Sequence, residues 1–341
     1  MVTQTTDKQK FTPMALKAYA LKALFYSLDV IGNQLILQRT WKGGTEPLFE
    51  AAYGPHHKQQ INIFRPQGDE TRGYPVLIYF HGGGFLVGDK NGYNGICRTL
   101  ADYGYVTFNV NYRLAPRYGY VAQTQDVARA IDWIYRHGAD YGAECQRIVL
   151  AGDSAGALHA SWYASALEKG ELFDYVGVKK TIPRSALKGL LLFYGLYDFD
   201  AVLATGFPFV GTYVQHFLSD DRDQPFAERA QLLSPIRYVT DTLPPIFLCA
   251  GEKDSLWQQS VQYARALRNR GVRTRTLFLN QSNYPDARHG FLYFANRQCT
   301  KRAFQEAGRF LQEIAPATSN ALEDVGSAGN TTLAQDKPAG N

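Results

Sequence analysis

The chain has 341 residues, of which 45% are hydrophobic and 13% aromatic, and 36 Lys and Arg against 31 Asp and Glu give a formal net charge of +5. So apolar a composition excludes a disordered chain, and the glycines lack the three-residue period of collagen. The small positive charge is spread along the sequence without a Lys/Arg-rich block, so it indicates neither a nucleic acid nor a membrane as partner.

The predicted secondary structure begins with a helix over residues 12–37, where apolar side chains recur at the helical period. From residue 75 onward, short and nearly continuous apolar runs alternate with longer helical patterns. Because continuous apolarity is typical of strands buried on both faces, these runs predict an α/β fold with a mostly parallel sheet flanked by helices. The predicted strands are residues 75–80, 105–110, 147–151, 189–194, 245–250 and 275–279, and the predicted helices lie near residues 93–103, 123–141, 155–168, 255–270 and 298–314.

Two stretches do not fit this alternation and predict a helical cap. The N-terminal helix precedes the sheet, and a long aromatic segment stands where a single helix would suffice. We therefore interpret residues 1–50 as N-terminal cap helices, 51–197 and 243–315 as the α/β core, and 198–242 as a cap insertion. Residues 316–341 contain no aromatic residue and too little apolar surface to offset their ordering entropy, so we expect a disordered tail.

The cysteines and the N-terminal residues indicate the cellular compartment. Cys97, Cys145, Cys249 and Cys299 lie far apart, with neither C-x-x-C nor zinc-site spacing, which predicts free thiols in a reducing compartment. The N-terminal residues are polar and do not resemble a secretory signal, and the best apolar stretch, residues 15–37, is interrupted by charged side chains. We expect a soluble, cytoplasmic protein without a membrane span.

The strongest chemical signal is the sequence GDSAG at residues 152–156, directly after a predicted strand and before a predicted helix. The G-x-S-x-G pattern alone is weak, but between a strand and a helix it predicts a nucleophile elbow. Its glycines let strand and helix approach closely, and the helix dipole favours negative charge that develops at the serine. Ser154 is therefore the candidate nucleophile, with an ordinary glycine-rich turn as the alternative.

Three consecutive glycines follow the first predicted strand, in the sequence HGGGF at residues 81–85, which we call the oxyanion loop. Such a run indicates that the backbone must come close to another group. We predict an oxyanion hole formed by the amides of Gly83, Gly84 and Ala155. A flexible loop or a phosphate-binding turn is the alternative. However, Phe85 stands where a Walker loop needs Lys, and the G-x-G-x-x-G pattern of dinucleotide sites is lacking.

A serine nucleophile needs a histidine base and an acid that orients it, and in this arrangement both follow the serine. Asp254 comes just after the fifth predicted strand and His289 after the sixth, so both should lie at the same sheet edge as Ser154. We predict a catalytic triad of these three residues, in which Asp254 orients the imidazole. Glu252 and Asp286 are rivals for the acid.

Other residues have secondary roles in this interpretation. We predict a structural hydrogen-bonding role for His81 and a packed position for His159 in the helix after the nucleophile. His216 lies in the predicted cap and is a candidate lining residue of the substrate pocket, together with Phe85 and Leu86 beside the oxyanion loop.

Together these motifs resemble the hormone-sensitive-lipase-like esterases, of the bacterial family IV type, in the α/β-hydrolase superfamily. Order and spacing agree from residue 61 to residue 315. The chain departs from the usual pattern after three motifs, where Arg117, Ala157 and Ser255 stand. The matching sequences are HGGGF at residues 81–85, YRLAP at 112–116, GDSAG at 152–156, LPP at 243–245, Asp254, and HGF at 289–291.

The resemblance implies an α/β-hydrolase fold with a helical cap. It also implies a carboxylesterase that acts on short- to medium-chain esters and needs neither a cofactor nor a metal. Its partner would be a small-molecule ester substrate, and the family allows a homodimer. Three alternatives stay open: an amidase or peptidase with the same triad, a non-catalytic ligand receptor on the same fold, and a membrane-active lipase.

Overall fold

Two predictions concern residues that the structure does not describe: the helix over residues 12–37, of which only Ala20 is described, and the tail beyond Pro316. In the described ranges no helix is both long and apolar enough to cross a membrane. The computed structural model describes residues 46–68, 73–179, 182–220 and 225–316, together with Ala20.

One eight-stranded sheet lies at the centre of the described chain. Its strands are β1 (Phe49–Ala52), β2 (Gln60–Phe64), β3 (Tyr74–Phe80), β4 (Val106–Val110), β5 (Ala143–Asp153), β6 (Leu187–Phe193), β7 (Ile246–Gly251) and β8 (Thr274–Leu279). They are ordered β1-β2-β4-β3-β5-β6-β7-β8 across the sheet. Strands β3 to β8 pair in parallel, whereas β1 and β2 are antiparallel to their neighbours. The predicted α/β class is thereby confirmed.

β1 and β2 are not among the predicted strands. β1 is mostly exposed and therefore has no continuous apolar run. β2 spans only five residues, of which Gln60 and the buried Asn62 are polar. β5 is longer than the predicted residues 147–151 because its first residues, from Ala143, alternate in burial instead of forming an apolar run.

Helices cover both faces of the sheet. α3 and α9 have the predicted bounds. α1 and α9 pack on one face, and α2, α3 and α8 pack on the other, so each face has its own apolar core. The helices in the described residues are α1 (Asn94–Ala101), α2 (Tyr120–His137), α3 (Ala155–Glu168), α4 (Glu171–Tyr175), α5 (Phe199–Val202), α6 (Val210–Phe217), α7 (Phe226–Leu232), α8 (Trp257–Asn269) and α9 (Gln298–Ile314).

The parallel strands bring the candidate site residues to one edge of the sheet. The oxyanion loop follows β3, Ser154 follows β5, Asp254 follows β7 and His289 follows β8. Because the carboxyl ends of parallel strands share an edge, these side chains come from distant parts of the chain to one crevice, which is where open α/β sheets bind ligands.

The segment at residues 198–242 lies between β6 and β7, contains α5, α6 and α7, and packs against the oxyanion loop. Phe217 of α6 stacks on Phe85 with ring centroids 3.9 Å apart, and Phe199 of α5 stacks on Phe217 at 5.8 Å. Asp220 accepts hydrogen bonds from two backbone N–H groups at the start of α2. This insertion is therefore attached to the core by an aromatic stack and by a carboxylate that caps a core helix.

The close packing between β3 and α3 makes Gly156 intolerant of a side chain. An added Cβ would collide with the backbone carbonyl oxygens of Phe80 and His81. Because these atoms belong to the end of a central strand and cannot move aside, Gly156→Ala should lower the free energy of unfolding by about 1–3 kcal/mol. Urea unfolding followed by circular dichroism measures this change.

Gly211→Ala in α6 is the matched control. Apart from its two chain neighbours and the backbone of its own helix, no heavy atom of a described residue lies within 4 Å of a Cβ added at Gly211. Alanine is favoured over glycine inside a helix by up to ~1 kcal/mol, so this variant should be as stable as the wild type or slightly more stable. An equal loss of stability in both variants would contradict the packing argument.

Candidate active site

Ser154 occupies a strained turn between β5 and α3. Its φ of 50° and ψ of −116° lie in a region that residues other than glycine rarely adopt. Its backbone N–H donates a hydrogen bond of 2.9 Å to the carbonyl oxygen of Phe193, which fixes the turn against β6. The serine therefore stands at the N-terminus of α3, where the helix dipole favours negative charge.

Ser154, His289 and Asp254 form a continuous hydrogen-bonded chain. The Oγ atom of Ser154 lies 2.9 Å from Nε2 of His289, and Nδ1 of His289 lies 2.8 Å from Oδ2 of Asp254. In the tautomer with Nδ1 protonated, the imidazole donates to the carboxylate and accepts the serine hydroxyl proton. Oδ1 of Asp254 accepts the N–H of Leu256 at 2.8 Å, and the Asp254 side chain is 1% exposed. This geometry can remove a proton from Ser154 and stabilise the resulting imidazolium.

The rival carboxylates face elsewhere. Glu252 is exposed and accepts the backbone N–H of Gln281 through Oε2 at 2.8 Å. Asp286 is exposed as well. Among the described residues, Asp254 alone has a carboxylate hydrogen-bonded to His289.

Two aromatic rings hold the imidazole of His289 from its sides. Phe207 of the insertion makes an edge-to-face contact with a centroid distance of 4.7 Å, and Tyr194, just after β6, makes another at 5.0 Å. Such contacts restrict the plane of the ring. The aromatic content of the insertion is visible in the sequence but does not single out Phe207. Nothing in the sequence singled out Tyr194, because it ends an apolar run like other strand residues.

The oxyanion loop has an unusual backbone. Gly83, Gly84 and Phe85 have positive φ values of 118°, 57° and 69°. Neither glycine amide donates a hydrogen bond to another backbone group of the described residues. The amide of Ala155, the first residue of α3, belongs to the helical turn whose N–H groups lack intrahelical partners. These donors are therefore available to an anion. Gly84 also has no room for a side chain, because a Cβ there would collide with the ring of Tyr213.

A narrow apolar cavity opens beside Ser154, and the unoccupied space in it and in the solvent at its mouth amounts to about 330 Å³. It lies between the core and the insertion, and its lining is almost free of polar atoms, as binding sites for apolar groups are. Its lining residues are Gly84, Phe85, Ser154, Ala155, Leu196, Phe207, Val210, Tyr213, Val214 and Leu256.

Of the predicted pocket residues, Phe85 lines this cavity, but Leu86 and His216 are not among the described residues that do so. Leu86 is 0% exposed and packs into the core beneath the loop. On α6, the cavity-facing residues follow the helical spacing from Val210, and His216 falls on a different face of the helix.

The two buried histidines near the site are neutral at pH 7. Burial lowers the pKa of His81 to about 4 and that of His159 to about 3. Nδ1 of His81 donates to the carbonyl oxygen of Gly82 at 2.7 Å, and its ring stacks on Tyr112 at 4.3 Å. His159 lies inside α3, with Nε2 3.3 Å from Oε1 of Gln123.

The described residues contain no group of three His, Cys, Asp or Glu placed to hold a metal ion. The four cysteines have free thiols, and burial raises the pKa of the Cys97 and Cys249 thiols well above the usual value. These thiols are therefore protonated at pH 7 and unreactive.

Comparison with known proteins gives a family match over most of the described chain. The model of a family described as having the alpha/beta hydrolase fold matches residues 77–293. Esterase LipQ of Mycobacterium tuberculosis (strain ATCC 25618 / H37Rv) is 31% identical over 247 residues, which are 70% of this chain and 56% of LipQ. Esterase LipI of the same organism is 32% identical over 206 residues, 58% of this chain and 61% of LipI. The chain thus aligns with little more than half of the length of these curated relatives.

Solved structures share the fold. Esterase B from Lactobacillus rhamnosis superimposes with a TM-score of 0.76 at 23% identity, covering 89% of this chain and 97% of the esterase. The Pyrobaculum calidifontis esterase superimposes with a TM-score of 0.70 at 22% identity, covering 90% of this chain and 97% of that chain.

Proposed function

The chain belongs to the α/β-hydrolase fold family, and on this basis we propose that it is a serine carboxylesterase that acts on short- to medium-chain carboxylic esters. The observation that carries the proposal is the hydrogen-bonded chain from Ser154 Oγ through His289 to Asp254, with distances of 2.9 and 2.8 Å. The two aligned relatives that are named esterases support the same reaction class.

In the proposed mechanism, Ser154 Oγ attacks the ester carbonyl carbon while Nε2 of His289 takes the hydroxyl proton. Asp254 keeps the imidazole in the required tautomer and stabilises the imidazolium. The tetrahedral intermediate then expels the alkoxy group, which leaves as the alcohol with the proton from His289. Water hydrolyses the acyl-enzyme by the same proton route and regenerates Ser154. Serine, histidine, ester and water supply every proton and electron pair in this sequence.

The oxyanion of each tetrahedral intermediate is assigned to the amides of Gly83, Gly84 and Ala155. Two observations support this assignment. The glycine amides donate to no other backbone group of the described residues, and Gly84 and Ala155 line the cavity beside Ser154. Fixed amides that meet developing charge stabilise the transition state more than the ground state, so they raise kcat.

The apolar cavity favours substrates with a short acyl chain. In this proposal the acyl chain is the part of the substrate that binds closest to Ser154. Phe85 lines the cavity, and its ring stacks on Phe217, which in turn stacks on Phe199. Burying each additional methylene in such a pocket contributes about 0.8 kcal/mol until the pocket is full. Activity should therefore rise over the first members of a homologous ester series and fall once the chain exceeds the cavity.

A panel of p-nitrophenyl esters from acetate to palmitate tests the function. We expect kcat/KM to be highest among the short to medium chains, and hydrolysis to stop after treatment with a serine-directed organophosphate. Mass spectrometry should then find the adduct on the peptide that contains Ser154. Absence of hydrolysis together with absence of an adduct would contradict the proposal.

Matched p-nitrophenyl ester and p-nitroanilide substrates separate the esterase from an amidase or peptidase with the same triad. The esterase proposal expects much faster turnover of the ester. Faster turnover of the anilide would assign the site to amide hydrolysis instead. A receptor would bind the ester without releasing p-nitrophenol.

A further inference from the structure

Asp153 has no part in the mechanism above, although it directly precedes Ser154 and is 1% exposed. Its Oδ1 atom accepts two hydrogen bonds, from the backbone N–H of Gly82 at 2.9 Å and from the hydroxyl of Tyr79 at 3.0 Å. The first of these bonds joins the end of β5 to the oxyanion loop after β3. A side chain next to the nucleophile thus contacts the backbone that carries the oxyanion donors.

The peptide groups around Gly82 are fixed on both sides. The carbonyl oxygen of Gly82 accepts a hydrogen bond from Nδ1 of His81 at 2.7 Å, and the carbonyl oxygen of His81 accepts one from the hydroxyl of Tyr112 at 2.6 Å. A Cβ at Gly82 would collide with the carboxylate of Asp153, so the backbone lies directly against it. Gly82 is therefore the last fixed point before the donor glycines of the loop.

The donor glycines have no side chains that could hold their conformation. Gly83 and Gly84 have φ values of 118° and 57°, and glycine is the residue with the greatest backbone freedom. The N–H of Gly83 belongs to the peptide group that it shares with Gly82, so its direction depends on how Gly82 is held. The next peptide group is held through the carbonyl oxygen of Gly83, which accepts the N–H groups of Leu86 at 3.2 Å and Val87 at 3.1 Å.

We propose that Asp153 is a positioning residue for the oxyanion hole: by accepting the Gly82 N–H, it holds the loop so that the amides of Gly83 and Gly84 face the cavity beside Ser154. This inference rests on the proposed esterase function and names a further residue of the same site.

The Asp153 carboxylate lies where little solvent reaches it, since the residue is 1% exposed. Burial raises the pKa of Asp153 to about 6, although the hydrogen bonds from Tyr79 and Gly82 favour the ionised form. The site is therefore poorly solvated, and removal of the acceptor leaves the Gly82 N–H buried without a partner. A misplacement of about 1 Å in catalytic groups can lower a rate by about 10²-fold.

The first test compares Asp153→Ala with Asp153→Asn on p-nitrophenyl butyrate. Asn keeps an oxygen that accepts the Gly82 N–H, whereas Ala removes it. We expect kcat to fall by about 10- to 100-fold in Asp153→Ala with KM within a factor of about 3, because the oxyanion donors act mainly in the transition state. Asp153→Asn should retain kcat within a factor of about 5.

Tyr79→Phe is the matched control, because it removes the other hydrogen bond to the same carboxylate oxygen and leaves the Gly82 N–H in place. We expect its kcat to stay within a factor of about 3 of the wild type. A kcat loss equal to that of Asp153→Ala would assign the effect to the buried hydrogen-bond network as a whole and overturn the proposal.

An alkylboronic acid, which forms a tetrahedral adduct on the serine, gives a readout that a folding defect would not reproduce. Its inhibition constant should rise in Asp153→Ala by about the same factor as kcat falls. If Asp153→Ala does not fold, Asp153→Ser replaces it, because the shorter hydroxyl leaves Gly82 without its acceptor. Equal kcat values for the Asn and Ser variants, or unchanged boronate binding, would overturn the positioning role.

Failure of the inference is distinguishable from failure of the proposed function. If the wild type hydrolyses the ester and Ser154→Ala does not, the function stands, and an unchanged kcat in Asp153→Ala refutes only the positioning role. If the wild type itself releases no p-nitrophenol, the function and the inference that rests on it both fail.

Discussion

Ser154→Ala should lower kcat for a p-nitrophenyl ester by about 10⁴- to 10⁶-fold, because no acyl-enzyme can form without the hydroxyl. The Oγ atom that it removes is the one 2.9 Å from Nε2 of His289. KM should change little, since the other lining residues of the apolar cavity and the oxyanion amides stay in place. Stopped assays over hours at high enzyme concentration are needed to measure the residual rate, which the oxyanion hole and substrate binding alone should sustain at ~10³–10⁴-fold above water.

Ser185→Ala is the matched control for this variant, because Ser185 is exposed and lies before β6, at the opposite end of that strand from the site. Its kcat and its organophosphate labelling should equal those of the wild type, whereas Ser154→Ala should not be labelled. A Ser154→Ala protein with wild-type activity, shown by mass spectrometry to be free of wild-type contamination, would refute the proposed mechanism.

The sequence predicts the central part of the sheet well because burial on both faces leaves an unambiguous apolar run. β3, β6 and β7 are buried along almost their whole length and have such runs, and the helices α3 and α9 follow directly from their helical period. The two strands at the sheet's antiparallel edge lack such a run. β1 is exposed, and β2 includes Asn62, which is buried because its amide donates to Asn94 on α1. That contact is tertiary and leaves no periodic signal in the sequence.

One part of the candidate site can likewise be predicted from the sequence, and another part cannot. Ser154, Asp254 and His289 were located from their positions just after strands, since parallel strands share one carboxyl edge, and the structure brings them into hydrogen-bond contact. The pocket could not be located by such a rule. Leu86 was expected there from its place beside the oxyanion loop, yet the backbone turns at positive φ after Gly83 and directs it into the core.

For His216 in the insertion, the sequence does not show whether the side chain faces the cavity. It lies within an aromatic segment of the sequence, but which face of a short helix meets the core depends on the phase of that helix. In α6 the phase is set by Phe217, which stacks on Phe85, and by Tyr213, which packs over Gly84. These partners are more than a hundred residues away in the chain, so no local pattern records them.

Asp254→Asn should lower kcat by about 10³- to 10⁴-fold while KM and stability change little. Asn preserves the acceptor for the Leu256 N–H, which lies 2.8 Å from Oδ1. Its NH₂ group would then face Nδ1 of His289 and require that nitrogen to accept. The imidazole proton would move to Nε2, which points at Ser154 and could no longer take the serine proton.

Glu252→Gln distinguishes this tautomer effect from a general loss of negative charge at the site. Glu252 is two residues from Asp254 but exposed, and its carboxylate accepts the N–H of Gln281 and not that of His289. Both substitutions remove one charge, yet only the one at position 254 alters the partner of Nδ1, so kcat should remain at the wild-type level in Glu252→Gln. A larger loss in Glu252→Gln than in Asp254→Asn would transfer the role of the acid to Glu252. Equal, small losses would show that the orientation of His289 comes mainly from the aromatic contacts with Phe207 and Tyr194.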